Sequence, residues 1–135
     1  MKNKPSLIEF KKIGSSSLGF ISVAEFESQV PFPINRVYWT YFTPNEIQRG
    51  FHAHKELCQV IVAVSGNIKL TVVNQNEEKE LFILDTPSIG LYIPKMYWRE
   101  ISFSHNAVLL CLASEVYNEN DYIRDYKTFL KFKND

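Results

Sequence analysis

Residues 49–66 read RGFHAHKELCQVIVAVSG, and the fold turns on how this stretch is read. The run after Leu57 is rich in β-branched residues and stops at Ser65-Gly66-Asn67, which marks a strand ending in a turn. Side chains two apart on a strand share a face. His52 and His54 therefore project together, Phe51 points the other way, and Ala53 leaves room beside the pair. These are two of the chain's three histidines. Two imidazoles on one face beside an apolar strand point to an enclosed site rather than to surface positions.

Working outward, short strand-like runs recur at about ten-residue spacing, the pattern of an all-β sandwich or barrel. Residues 7–13 (LIEFKKI) and 20–26 (FISVAEF) flank the turn-like GSSSLG. Residues 30–33 (VPFP) are a connection, because proline removes ladder donors. Residues 36–42 (RVYWTYF) form a strand with Arg36, Tyr38, Thr40 and Phe42 on one face and Val37, Trp39 and Tyr41 on the other. The polar members put the first face toward a pocket. Residues 57–64 and 68–73 read as a hairpin around Ser65-Gly66-Asn67. Residues 80–84, 91–93, 96–103 and 107–113 complete the strands. In the tail, Tyr122, Ile123, Tyr126, Phe129 and Leu130 fall at helical spacing. They predict one C-terminal helix, capped by Asn118 or Asn120, whose aromatics serve packing.

The 135 residues suit one domain, expected to span 1–135. Fifteen basic and fifteen acidic residues give no net charge, which argues against bulk nucleic-acid binding but not against an anion held by a few arginines. Residues 1–6 are polar and lack a secretory h-region, and no apolar run reaches membrane-spanning length. Cys58 and Cys111 lie far apart inside apolar strands, the pattern of buried reduced thiols in a cytoplasmic protein.

Gly50, His52, His54, Gln59 and Gly66 fill the places of the first signature of the cupin superfamily. Residues 90–100 (GLYIPKMYWRE) resemble the second: Gly90 and Pro94 match, Met96 replaces a Gly, and Arg99 stands where a His would be. Together with LAS at 112–114 and DYIRDY at 121–126, these segments resemble the thymidine-diphosphate-sugar 3,4-ketoisomerases over about residues 8–130. The resemblance implies a cupin-type double-stranded β-helix, a jelly-roll barrel, with a short C-terminal helix.

It also implies the reaction. A thymidine-diphosphate-linked 4-keto-6-deoxy-glucose becomes its 3-keto isomer through an enediol spanning C3 and C4. The product would feed a 3-aminotransferase in surface-polysaccharide synthesis. His52 would be the base at C3. His54 would either orient His52 or shuttle the proton to C4. Tyr38 would hydrogen-bond the sugar oxygens, and Arg99 and Tyr38 would stabilise the enediolate. Arg36 and Arg49 are candidates for the diphosphate. Gln59 suits hydrogen bonding to sugar or imidazole, and Tyr92 could stack on thymine. Trp98 is expected as a barrel wall. Leu18 falls where the family carries a larger polar or basic residue.

The cupin places for a metal are otherwise filled. A divalent ion wants about three or four protein ligands; Gln59 is a neutral amide, and Arg99 is a permanent cation that repels a metal. His105 sits in the turn-like FSHNA. No metal or other cofactor is expected. Imidazoles without a metal suit proton transfer near neutral pH. Members of the family are dimers whose N-terminal strands cross between subunits, and a homodimer is expected here. A 3,5-epimerase of related fold, a metal-dependent cupin oxygenase and a non-catalytic sugar-binding cupin are the other readings.

Overall fold

The computed structural model describes residues 3–133. Two five-stranded sheets carry the fold. In the first, the order is β1 (Ser6–Glu9), β9 (Ile89–Ile93), β6 (Gln59–Ser65), β11 (Val108–Ala113) and β4 (Arg36–Thr40). In the second it is β12 (Tyr122–Ile123), β5 (Gln48–His54), β10 (Trp98–Phe103), β7 (Ile68–Val73) and β8 (Lys79–Leu84). A separate hairpin joins β2 (Lys12–Ser15) to β3 (Gly19–Ser22). Every strand pairing is antiparallel, and the all-β expectation holds.

Strand alternation explains the layers. Ile61 and Ala63 of β6 meet Ile68, Leu70 and Val72 of β7 in the core between the sheets, with Leu91, Ile93, Ile101, Phe103, Leu109 and Cys111. The intervening Val60 and Val62 face outward, where Phe10, Val30 and Phe32 of the N-terminal segment cover them. Strand β6 is thus buried on both faces, which is why its sequence is a continuous apolar run rather than an alternating one. A third cluster packs Phe129 and Ile123 onto Trp98, Val73 and Ala53. Removing one fully buried Leu or Ile from such a core typically costs about 2–5 kcal/mol.

Several elements differ from the sequence reading. The 57–64 and 68–73 runs are not a hairpin: β6 pairs with β9 and β11, while β7 pairs with β8 and β10. Both strands must face one core from opposite sides, so the chain crosses between sheets. Its turn is tied to the 104–107 turn instead, through Asn67 N–H to Ser104 Oγ at 2.9 Å and Ser104 N–H to Asn67 O at 3.0 Å. Residues 7–13 split into β1 and β2, because Phe10 turns into the outer cluster and donates to Ser88 O at 2.8 Å. Strand β3 ends at Ser22, short of residue 26.

The tail changes most. Asn118 caps only a 3-10 turn, Glu119–Asp121. Tyr122 and Ile123 then pair with His54 and Ala53 of β5. The helix α1 is confined to Tyr126–Lys131 and is capped by Asp125, which accepts from Thr128 N–H at 2.9 Å. Helical spacing misassigned residues whose ladder partners lie nearly seventy positions earlier in the chain.

A bulge sits where β5 meets β10. Arg99 opposes His52 and Glu100 opposes Gly50, which leaves Phe51 as the extra residue. Gly50 has φ +91°, and a Cβ there would lie 2.9 Å from Arg99 O. Phe51 follows with φ 56°. Gly50→Ala therefore meets both strain and a backbone clash. It should lower unfolding stability by about 1–3 kcal/mol. Chemical denaturation measures this, and an unchanged midpoint at unchanged slope would show that the bulge tolerates a side chain.

Candidate active site

Strand alternation and the bulge bring His52 and His54 together as the sequence predicts. Their rings lie 4.9 Å apart and nearly perpendicular. Strand β12 adds a third ring: Tyr122 lies 5.0 Å from His52 and 4.4 Å from His54. A cavity of about 340 Å³ opens over this group. Strand β4 lines it with Arg36, Tyr38 and Thr40, the face that the sequence assigned to the pocket. Strand β5 contributes Arg49, Gly50 and His52, and the tail contributes Tyr122 and Arg124.

His52 Nδ1 lies 3.0 Å from Gly50 O, so it donates to that carbonyl and leaves Nε2 bare. Burial, reinforced by the Arg99 cation, pushes the His52 pKa down to about 4. His54 is fully buried behind the cavity wall, with Nδ1 2.9 Å from Asp121 Oδ2. Burial, then Arg99 and the neighbouring His52, hold its pKa far below the ordinary imidazole value. Both rings are therefore neutral at physiological pH.

Arg99 is fully buried and does not line the cavity. It donates Nη2–H to Tyr97 O at 3.0 Å and Nη1–H to Gln59 Oε1. The other end of the Gln59 amide donates to Tyr38 Oη at 2.9 Å. A donor chain thus runs from Arg99 through Gln59 to Tyr38, a residue that lines the cavity. Burial, with Cys111 as its next contributor, holds the Tyr38 pKa well above the usual phenol value, so the group stays protonated. Gln59 reaches the site only through Tyr38.

Arg36 stacks over Tyr38 at 5.4 Å and Tyr117 at 5.6 Å. Its Nε and Nη2 are buried with no protein partner. A guanidinium in that state is poised for an anion. Arg124 forks onto Glu119 at 2.7 and 3.0 Å and covers Tyr122 at 4.2 Å. That fork, first through the Arg124 hydrogen bond and then through Tyr117, pushes the Glu119 pKa down to about 2.

Tyr92 is not at the site. Alternation along β9 sends Leu91 and Ile93 into the inner core and Tyr92 to the opposite face, 6.4 Å from Phe32. It cannot stack on a base held in this cavity. Trp98 is buried against Tyr126 and Phe129, on the wall as expected. Asp121, Tyr122 and Arg124 were missed as site residues. The segment that carries them, DYIRDY, matches the family motif, but its helical spacing points to packing instead. The donor set does not fit a divalent metal: the Gln59 oxygen already accepts from Arg99, whose charge stands beside both imidazoles. Among the described residues no group of three or more His, Cys, Asp or Glu is placed to hold a metal ion.

A family model described as "FdtA: WxcM-like, C-terminal" matches residues 3–134. A TDP-4-oxo-6-deoxy-alpha-D-glucose-3,4-oxoisomerase from Aneurinibacillus thermoaerophilus is 41% identical over 98% of this chain and 93% of its own. The chain belongs to the sugar 3,4-ketoisomerase family. QdtA from Thermoanaerobacterium thermosaccharolyticum, a 3,4-ketoisomerase solved with TDP, superposes with TM-score 0.89 at 39% identity over 96% of this chain and 94% of that one. A 3,4-ketoisomerase from Helicobacter canadensis gives 0.88 at 41% identity, covering 94% and 95%. A histidine-to-asparagine variant of QdtA has been solved with TDP-4-keto-6-deoxyglucose. The sugar epimerase NovW of Streptomyces spheroides shares the cupin-type fold alone, at 14% identity and TM-score 0.76.

The His52 shift fixes a pH signature for this ketoisomerase-family site. Its folded pKa, about 4, lies below the ordinary 6.5. The unprotonated form therefore persists as pH falls, and if His52 is the base the acid limb of kcat/KM should centre near 4 rather than near 6.5. Between those values the unfolded chain binds the extra proton, so stability is full above about 6.5 and declines as pH drops toward 4. A pH–rate profile with an acid limb at 6–7 would show that His52 is not held in this way.

Proposed function

We propose that this protein converts TDP-4-keto-6-deoxyglucose into its 3-keto isomer. The observation that carries the reading is His52, a neutral imidazole with a bare Nε2 at the wall of a cavity shared with the protonated Tyr38. The family relationship supports the same reaction.

His52 takes the C3 proton. The C–H electron pair becomes the C3=C4 double bond, and the carbonyl pair moves onto O4, which takes a proton from Tyr38. The neutral enediol then collapses in the other sense. The O3 hydroxyl gives its proton to the Tyr38 phenolate, its electrons form the C3 carbonyl, and C4 takes the proton held on His52, which restores both side chains. Bonds and protons balance with no external oxidant. Arg99 lowers the energy of the enediolate-like transition state through its field and through Gln59, since preorganised donors act most strongly where water is excluded. Arg36 and Arg49 meet the diphosphate, and the unpartnered atoms of Arg36 support that role. The 3-keto product is a carbonyl suited to transamination, in keeping with 3-amino-sugar synthesis.

The test follows C3 exchange in heavy water by NMR, with the product trapped by a 3-aminotransferase. Exchange at C3 with a 3-amino sugar is expected. Exchange at C5 would mark a 3,5-epimerase instead, and no exchange would mark a binding protein. His52→Asn should reduce both exchange and turnover by about a hundred- to ten-thousand-fold. Nucleotide affinity should persist, because the proposed diphosphate contacts are on other residues. A variant that keeps wild-type exchange would remove His52 as the base.

We also propose a homodimer working in the cytoplasm. The buried cysteines Cys58 and Cys111, as reduced thiols, suit a reducing compartment. Among the described residues, no helix is long and apolar enough to cross a membrane. The β2–β3 hairpin exposes Ile13, Leu18, Phe20 and Ile21. Beside it lies an apolar groove of about 470 Å³, walled by Phe20, Val62, Val64 and Leu110. Such a surface on a lone chain invites association. Light scattering at micromolar concentration should give twice the 15.7 kDa chain mass. A monomer mass would remove the dimer.

A further inference from the structure

The proposed mechanism uses one imidazole directly, yet the second is the more tightly held. His54 is fully buried, and its Nδ1 lies 2.9 Å from Asp121 Oδ2. Asp121 is itself anchored. Its Oδ1 accepts the Glu56 N–H at 2.7 Å, its carbonyl accepts the Lys55 N–H at 2.9 Å, and its own N–H donates to Asn118 O at 3.0 Å. The other nitrogen of His54, Nε2, is buried with no protein partner. An ionised carboxylate only accepts, so the hydrogen of the neutral ring must sit on Nδ1.

We propose that Asp121 is a positioning residue that locks His54 in the Nδ1–H tautomer, leaving a bare Nε2 next to His52 and Tyr122. The lock sets two things. It fixes the ring plane that packs edge-on against His52 at 87° and touches Tyr122 at 4.4 Å. It also keeps His54 in the form of a proton acceptor, the same form that the Gly50 carbonyl imposes on His52. Both imidazoles then present the same nitrogen as a base, each backed by an oxygen that the main chain holds in place. The rate consequence rests on the ketoisomerase reading; the tautomer does not.

The test compares two variants with the wild type. In Asp121→Asn, the Glu56 N–H still requires an oxygen. The amide oxygen therefore stays there, and the amide nitrogen faces His54 Nδ1. That donor forces the ring into the Nε2–H form. In Asp121→Ala the ring is free to choose. Nitrogen-15 NMR of the imidazoles should show His54 protonated at Nδ1 in the wild type and at Nε2 in Asp121→Asn. The kcat should fall at least about a hundredfold in the Asn variant, as expected when a base is held in the wrong tautomer. It should fall less in the Ala variant, with KM little changed in both. A purely structural role predicts the opposite order, because Ala removes more contacts than Asn. Wild-type His54 protonated at Nε2, or an Ala variant slower than Asn, would overturn the proposal. A wild-type protein that fails to isomerise the sugar would instead sink the functional reading, and the NMR result would still decide the tautomer.

Discussion

One guanidinium, buried in the interior, conditions the rest of this site. Arg99 is 1% exposed and has no carboxylate partner among its hydrogen bonds, which go to a main-chain oxygen and to an amide. Burying a charge is expensive unless hydrogen bonds replace its water. The carbonyl of Tyr97 and the Gln59 oxygen do part of that. What remains is a positive field in a low-dielectric region, and it acts on every neighbour. It helps lower both imidazole pKa values and opposes any second cation in the same place. Through Gln59 it also reaches the Tyr38 hydroxyl.

The fold is arranged to hold that charge in register. Strand β10 carries Arg99 directly opposite His52 on β5, and the bulge at Phe51 is needed to keep both pairings on either side. Gly50 permits the close approach, because any Cβ there would strike the Arg99 carbonyl. On the far edge of β5, the short strand β12 pairs with His54, bringing Tyr122 against both rings and the preceding Asp121 onto His54. Strand β6 supplies Gln59 and β4 supplies Tyr38 from the other sheet. The site therefore spans both sheets, and the apolar core between them maintains its distances.

Much of this was legible in the chain. Period-two reading placed His52 with His54 and put Arg36, Tyr38 and Thr40 on the cavity face, because alternation is local and needs no knowledge of partners. The motif places of Gln59 and Arg99 pointed to a site of fixed charge rather than a metal. What failed was long-range. The 57–73 stretch has the local pattern of a hairpin, and only the shared core on opposite sides shows that its strands belong to different sheets. The 121–126 segment fits a helical period, yet a ladder partner at residues 53–54 and the cap at Asp125 take it elsewhere. Tyr92 has the chemistry of a base-stacking residue, but parity along β9 turns it to the outer face. The DYIRDY segment marks Asp121 as part of the family motif but not its role, since its partner His54 is 67 positions away in sequence.

The choice of an amide at position 59 follows from the same electrostatics. A carboxylate there would pair with Arg99 and satisfy it more strongly, since it would add an opposite charge to the hydrogen bond. It would also cancel the positive field. Both imidazoles would then be easier to protonate, and a protonated His52 could not accept a carbon-bound proton. An amide makes the same hydrogen bond to the guanidinium without neutralising it. Its opposite end donates to the phenol oxygen, and an oxygen that accepts a hydrogen bond gives its own proton away more readily. The Arg99–Gln59–Tyr38 chain thus transmits the cation's polarisation to the cavity while leaving the cation's charge intact. Proton transfer between adjacent carbons needs a neutral base and a donor hydroxyl at the same small volume; burial keeps both groups in those states, and the arginine reinforces it at His52 while making the Tyr38 proton easier to give up.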